Sequence, residues 1–327
     1  LTEAGDNAEM APFSRSAMMA EIDPGMLKFY KALSAESPPE SAHWPLDEQR
    51  AGWNAVCAKF RAPTPAGIVE SDMVLNGVPC RIFKPADGGL RPGLLYFHGG
   101  GWVLGGPHTH GDMCAEMAAG ADCVVVLVDY RLAPEHTHPA QLEDALAVLS
   151  WLRENGTTIG VDPARIMAGG DSAGGQMTAG LALWLRDHRL PQLTAMTTIY
   201  PVFGSDVNTA SALRNAEAPC LTREEMVYFL GSFLGPEGGP NWNDPYAVPL
   251  LADLHDLPPA FITVAAHDPL YDDGVAFHQR MLEAGNRSAL REEPVLTHSY
   301  MRARHVSGPA GEAFAAIVEA IREFTRS

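Results

Sequence analysis

Apolar positions along this chain fall into two periods. Through residues 1–62 the spacing is helical: Met26, Leu27, Tyr30 and Leu33 recur on one face, as do Trp53, Val56, Cys57 and Phe60, with the Pro/Ser/Glu stretch 35–46 between them. The pattern then shifts. Asp72–Leu75 and Val78–Phe83 flank Asn76-Gly77, the strongest short hairpin signal, and predict two antiparallel strands. Leu94–Phe97 and Cys123–Val128 are short unbroken apolar runs, as in strands buried on both faces. Helical spacing returns over Pro139–Trp151. Strands are then predicted at Arg165–Gly169, Ala195–Tyr200, Phe261–Ala265 and Ala289–Glu293, with helices at 174–187, about 272–284 and about 309–325.

An antiparallel start followed by strand–helix alternation predicts an α/β fold, a mostly parallel central sheet with helices on both faces. Residues 203–245 interrupt the alternation with a helical piece, Arg223–Leu234, and the Gly/Pro/Asn-rich segment GPEGGPNWNDP. This insertion and the N-terminal helices, about 1–60 and 203–245, are expected to form a helical cap on a single domain covering 1–327. A length of 327 residues permits two domains at ~150 each, but α/β units of 250 or more are common. No repeat of 20–50 residues is visible.

Composition narrows the function classes. Hydrophobic residues at 46% and charged residues at 19% supply a large core and exclude disorder. Lys+Arg of 23 against Asp+Glu of 40 gives 23 − 40 = −17, a surface that repels nucleic-acid phosphates and anionic lipid. Five cysteines without a C-x-x-C pair suit reduced thiols in a cytoplasm. No window reaches ~18 consecutive apolar residues, and the start LTEAGDNAEMAPF lacks the basic-then-apolar order of a signal peptide. A cytoplasmic protein is expected.

Two constellations carry chemistry. Gly170-Asp171-Ser172-Ala173-Gly174 is a G-x-S-x-G, a pattern that chance alone gives in roughly one chain in ten of this length. Its context is more informative, because a predicted strand precedes it and a helix-compatible run follows. A serine nucleophile needs that strained strand-to-helix turn, with flanking glycines that let backbone pass closely. The helix N-terminus then turns unpaired N–H groups toward the reacting carbonyl. The second constellation is His98-Gly99-Gly100-Gly101-Trp102, directly after the strand Leu94–Phe97. Three consecutive glycines bare the amides that an oxyanion hole requires. A dinucleotide or phosphate-loop reading fails: the spacing is not followed by a predicted helix and an acidic residue about 20 further on, and no Gly-Lys-Ser/Thr appears.

The H-G-G-G and the G-D-S-A-G-G at 170–175 together resemble the hormone-sensitive-lipase-like family of α/β-hydrolase esterases. Further matches are Asp129-Tyr130-Arg131-Leu132-Ala133-Pro134-Glu135, Asp244-Pro245-Tyr246-Ala247, Asp268-Pro269-Leu270 and Asp272-Asp273-Gly274. The similarity covers about residues 60–325. It implies the α/β-hydrolase fold, oxyanion donors at the N–H groups of Gly100, Gly101 and Ala173, small esters with short or medium acyl chains, no metal or organic cofactor, and commonly a homodimer.

A serine needs a base, and the base an orienting carboxylate, in the chain order Ser, acid, His. Six histidines follow Ser172: His188, His255, His267, His278, His298 and His305. His188 and His278 lie in helix-like stretches, His255 in a loop, and His267 precedes the candidate acid. That leaves His298 and His305. The resemblance selects His298, where the family places an H-G-F, although here the text is His298-Ser299-Tyr300. It likewise selects Asp268 as the acid, with Asp272 and Asp273 read as helix-start charges. A base of this kind must be neutral, so activity is expected to rise through about pH 6–7. Trp102, Phe203, Phe229 and Tyr300 are candidates for lining an acyl or alcohol pocket. His108-x-His110 with Asp112 and Cys114 has a metal-like flavour, but nothing nearby in the sequence would orient such ligands, and a zinc site is not expected. His136-x-His138 reads as structural, and Arg131–Glu135 as a brace for the sheet edge. The expected activity is therefore carboxylic-ester hydrolysis. The alternatives are an amidase or peptidase with the same triad, or a small-molecule binding protein on the same scaffold.

Overall fold

Eight strands form one sheet in the order β1-β2-β4-β3-β5-β6-β7-β8. They are β1 (Ile68–Leu75), β2 (Val78–Pro85), β3 (Arg91–Phe97), β4 (Val124–Val128), β5 (Val161–Asp171), β6 (Met196–Ile199), β7 (Ala260–His267) and β8 (Ser288–Thr297). The computed structural model describes residues 15–38, 41 and 43–326. The acidic start and the first residues of the expected cap lie outside the described residues. β1 pairs with β2, and β2 with β4, antiparallel; every later pairing is parallel. Asn76 and Gly77 close the hairpin with φ of 45° and 88°, the left-handed values that a two-residue turn demands.

Ten helices occur among the described residues: α1 (Arg15–Glu21), α2 (Pro24–Glu36), α3 (Leu46–Lys59), α4 (Pro107–Ala121), α5 (Ala140–Asn155), α6 (Ala173–Asp187), α7 (Ala210–Arg214), α8 (Arg223–Leu234), α9 (Tyr271–Glu283) and α10 (Gly308–Arg326). Alternation along the strands divides the core into two layers. On β4, Val124, Val126 and Val128 pack with Leu149 of α5 and Leu181 of α6. Val125 and Leu127 pack on the other side with Met117 of α4 and Ile317 of α10. Both faces are covered, so β4 reads as a continuous apolar run.

Three departures from the sequence reading have local causes. α4 is not predicted, because its buried face includes His110 and Asp112 beside Met113, Cys114 and Met117 and so lacks a clean apolar period. A helix does therefore follow the glycine run. α7 is too short for periodicity to reveal. β8 continues four residues beyond the predicted end at Glu293 to Thr297 and runs directly into His298. Arg131 is a brace as read: its guanidinium bonds Asp144, Glu143 and the Ala140 carbonyl, tying the end of β4 to α5.

Candidate active site

Parallel strands end on one rim of the sheet, and three of those ends carry the candidate triad. Ser172 follows β5, Asp268 follows β7 and His298 follows β8. His298 Nε2 lies 2.9 Å from Ser172 Oγ, and His298 Nδ1 lies 2.7 Å from Asp268 Oδ2. All three side chains are buried. Ser172 has φ 55° and ψ −118°, a strained conformation for a residue with a Cβ. It persists because the turn is held from both sides: Ser172 N donates to Ile199 O, and Gly175 N and Gln176 N return to Ser172 O. Gly174 is required there, since a Cβ would sit 1.9 Å from Phe97 O.

Asp268 is oriented by its own loop and by a neighbour. Leu270 N donates to Oδ1 at 2.9 Å, which leaves Oδ2 for the imidazole. Asn215, after α7, donates through Nδ2 to the carbonyls of Ala266 and Asp268 at 3.1 and 3.0 Å, clamping the backbone that carries the acid. Ser299 takes φ 61°, the left-handed conformation that the family's glycine would otherwise supply.

The amides of Gly100, Gly101 and Ala173 have no partner among the described residues. Gly101 has φ 59°, and a Cβ there would lie 2.3 Å from the Phe229 ring. This loop is fixed from beneath by Asp171, the residue before the serine. Its carboxylate accepts from Gly99 N at 3.0 Å and Tyr96 OH at 2.9 Å, with His110 Nε2 and Tyr200 OH each at 3.4 Å. Burial pushes the Asp171 pKa up, but the facing His110, Arg302 and Tyr96 outweigh it and hold the carboxyl well below the usual range. His98 is buried and pushed down to about 3, by burial first and by His110 second, so its ring stays neutral. It stacks on Tyr130 at 4.2 Å, whose hydroxyl donates to His98 O at 2.7 Å.

Above Ser172 lies a cavity of about 230 Å³. Its walls come from the H-G-G-G loop, from α2 and α3, and from residues 217–230. Trp102 and Phe229 line it, as the sequence suggests. Phe203 and Tyr300 do not. The Asp273 carboxylate accepts from Phe203 N and Gly204 N and turns the Phe203 ring into the core against Phe277, 4.1 Å away. The left-handed turn at Ser299 points Tyr300 inward, where its hydroxyl meets Thr263 Oγ1 at 2.7 Å.

The other histidines take different roles. His305 is half-exposed and pairs with Glu116 at 2.9 Å. His108 bonds Asn54, while Asp112 pairs with Arg304 at 2.6 Å. Among the described residues no group of three or more His, Cys, Asp or Glu side chains is placed to hold a metal. His138 bonds Asp244 across two segments at 2.9 Å. Asp272 accepts from Ser211 N, so both acidic residues after the D-P-L serve local structure. Sequence reasoning missed Asn215 and Asp171 in these positioning roles. Asp171 stood inside a recognised motif, but Asn215 carried no local signal.

Comparison with known proteins gives a consistent assignment. A family model described as "alpha/beta hydrolase fold" matches residues 94–302. The chain is 40% identical over 245 residues to "Carboxylesterase NlhH" of Mycobacterium tuberculosis, covering 73% of this chain and 76% of that one. It is 38% identical to "Esterase LipI" of Mycobacterium tuberculosis, covering 77% and 81%. A solved "esterase from the bacterial hormone-sensitive lipase (HSL) family" superposes with a TM-score of 0.83 at 29% identity, covering 92% of this chain and 98% of that one. No helix among the described residues is long and apolar enough to cross a membrane.

Proposed function

This chain belongs to the α/β-hydrolase family, in its hormone-sensitive-lipase-like branch, and is a carboxylic-ester hydrolase; from that premise we propose that Ser172, His298 and Asp268 perform the reaction as nucleophile, base and orienting acid. Ser172 Oγ attacks the acyl carbonyl carbon while His298 Nε2 takes its proton. Asp268 holds the Nδ1–H, which keeps the Nε2 lone pair toward the serine and stabilises the imidazolium that forms. The carbonyl oxygen, now negative, receives the N–H groups of Gly100, Gly101 and Ala173. Return of the His298 proton to the leaving oxygen releases the alcohol. Water then attacks the acyl-enzyme by the same relay, giving the acid and restoring Ser172.

The observation that carries this reading is the imidazole poised 2.9 Å from the hydroxyl and 2.7 Å from the carboxylate. Ser172→Ala is expected to abolish hydrolysis of p-nitrophenyl acetate and butyrate with an unchanged circular dichroism spectrum. It should also abolish stoichiometric labelling by an organophosphonate. Parent-level turnover in that variant would overturn the assignment.

The finer parts of the reading have their own support. A cavity of about 230 Å³ falls below the ~300–1,000 Å³ of drug-sized sites, which favours short and medium acyl chains. Residues from 1–60 and 203–245 wall that cavity, and we read them as the cap that sets the chain-length limit. All five cysteines are unpaired, in keeping with a cytoplasmic setting. β8 pairs on one side only, leaving an edge on which a homodimer could be built, and light scattering of the purified protein decides that state.

A further inference from the structure

Six buried side-chain nitrogen or oxygen atoms among the described residues have no hydrogen-bond partner: Trp53 Nε1, His98 Nε2, Gln141 Oε1, Thr198 Oγ1, Arg302 Nη2 and Arg322 Nε. Folded proteins rarely leave such groups unsatisfied, because desolvation is then uncompensated. Two of the six, Trp53 and Arg302, belong to residues that line the cavity above Ser172. The two residues stand on separate elements, Trp53 on α3 and Arg302 on the turn Tyr300–Ala303 after His298, against which α2 packs. Neither donor was needed to build the fold's own network.

We propose that Trp53 Nε1 and Arg302 Nη2 form a donor-only subsite of this cavity. Its ligand is an uncharged oxygen acceptor on the substrate, a keto or ether oxygen, on the portion of the ester lying against α2 and α3. The proposal rests on the hydrolase reading of the Ser172 site and specifies its substrate class.

The chemistry of the two groups sets the ligand. Indole and guanidinium nitrogens donate and cannot accept, so they select oxygen lone pairs over hydrocarbon. Arg302 is held in place: Nη1 donates to the Thr109 carbonyl, the side chain lies 3.9 Å from Asp112 Oδ1, and only 4% of it is exposed. Nη2 cannot swing away to find another partner. Charge argues against an anionic ligand. Arg302 and Arg304 share Asp112, Arg304 also pairs with Glu116 at 2.7 Å, and the ionised Asp171 faces Arg302. Three carboxylates already balance two guanidinium groups. Glu217 and Glu225 also line the cavity and oppose a further negative charge. A neutral acceptor completes the donors without that repulsion.

Matched esters test this. Ethyl hexanoate is compared with ethyl 3-oxo-, 4-oxo- and 5-oxohexanoate, and butyl butyrate with 2-methoxyethyl butyrate, each normalised to its rate of hydroxide-catalysed hydrolysis. Monoethyl adipate supplies the charged arm. At least one oxygen-bearing ester is expected to exceed its hydrocarbon match in kcat/KM by tenfold or more, since a site built to bond an oxygen rejects the analogue lacking it. Trp53→Phe and Arg302→Met should each bring that ratio to within about threefold of unity, and monoethyl adipate should gain nothing. Trp53→Phe, which removes the N–H together with part of the ring, carries the test if Arg302→Met does not fold, because the hydrocarbon member of each pair reports the change in cavity shape alone. Equal rates across every pair, a preference that survives both substitutions, or preference for the adipate would overturn the proposal. Failure of the wild-type protein to hydrolyse ethyl hexanoate or butyl butyrate at all would count against the hydrolase reading instead.

Discussion

Gly99 N donates to Asp171 Oδ1 at 3.0 Å, which latches the glycine loop after β3 to the residue immediately preceding Ser172. The nucleophile turn and the candidate oxyanion amides therefore share one carboxylate. Asp171→Asn keeps the shape but replaces one acceptor oxygen with an NH₂ facing donors. It is expected to lower kcat by about 10–100-fold with a smaller change in KM, and to cost about 2–4 kcal/mol of stability. Steady-state kinetics and urea unfolding measure the two effects separately. Because the folded Asp171 carboxyl titrates below its ordinary 3.8, its contribution is present above that pH and is lost as pH falls through the folded value. The Asn variant should therefore show a flatter decline in stability at the acid end.

His98 supplies a second pH effect. Its folded value near 3 lies below the ordinary 6.5, so the unfolded chain takes up a proton that the native ring refuses. Stability attributable to this ring is present above about 6.5 and erodes as pH falls toward 3, at no more than about 1.4 kcal/mol per pH unit. Urea midpoints measured from pH 7 to pH 4 should fall less steeply in His98→Asn, even though that variant starts lower through loss of the stack on Tyr130. Parallel curves would show that another group governs the acid limb.

Asn215 acts on the acid only through backbone. Asn215→Ala removes two hydrogen bonds to the Ala266 and Asp268 carbonyls. Expected are about 1–2 kcal/mol of destabilisation and a fall in kcat of about tenfold, with Asn215→Asp recovering little because a carboxylate cannot donate. A kcat equal to wild type would show that the D-P-L loop holds itself.

The two histidines left open by chain order separate by substitution. His298→Ala should lower kcat/KM by at least ~10³-fold. His305→Ala, which removes a half-exposed partner of Glu116, should stay within about twofold. Ester hydrolysis at substrate concentrations well below KM distinguishes them, and a reversed ranking would transfer the base to His305.

Much of the fold was legible because its signals are local. Val124–Val128 is apolar throughout since both faces are covered, and Asn76-Gly77 spells its turn. Helix α4 escaped because burying His110 and Asp112 erases the periodicity on which detection depends. At the site, motif spacing pointed to the serine and the glycine loop. It could not show that Phe203 turns toward Phe277 while Phe229 meets Gly101, because ring direction is decided by contacts with residues far along the chain. Asn215 was silent for the same reason: its value lies in reaching carbonyls 51 and 53 residues away.

Ser172, Asp268 and His298 each sit at the point where a parallel strand stops, whereas much of the cavity wall comes from α2, α3 and the stretch between β6 and β7. Much of that wall is thus written on backbone separate from the proton relay. Exchange of α8, which lines the cavity and leaves Asn215 in place, is expected to redraw which esters are admitted without disturbing the proton relay. Such a layout lets selection explore new substrates without first dismantling the machinery that cleaves them.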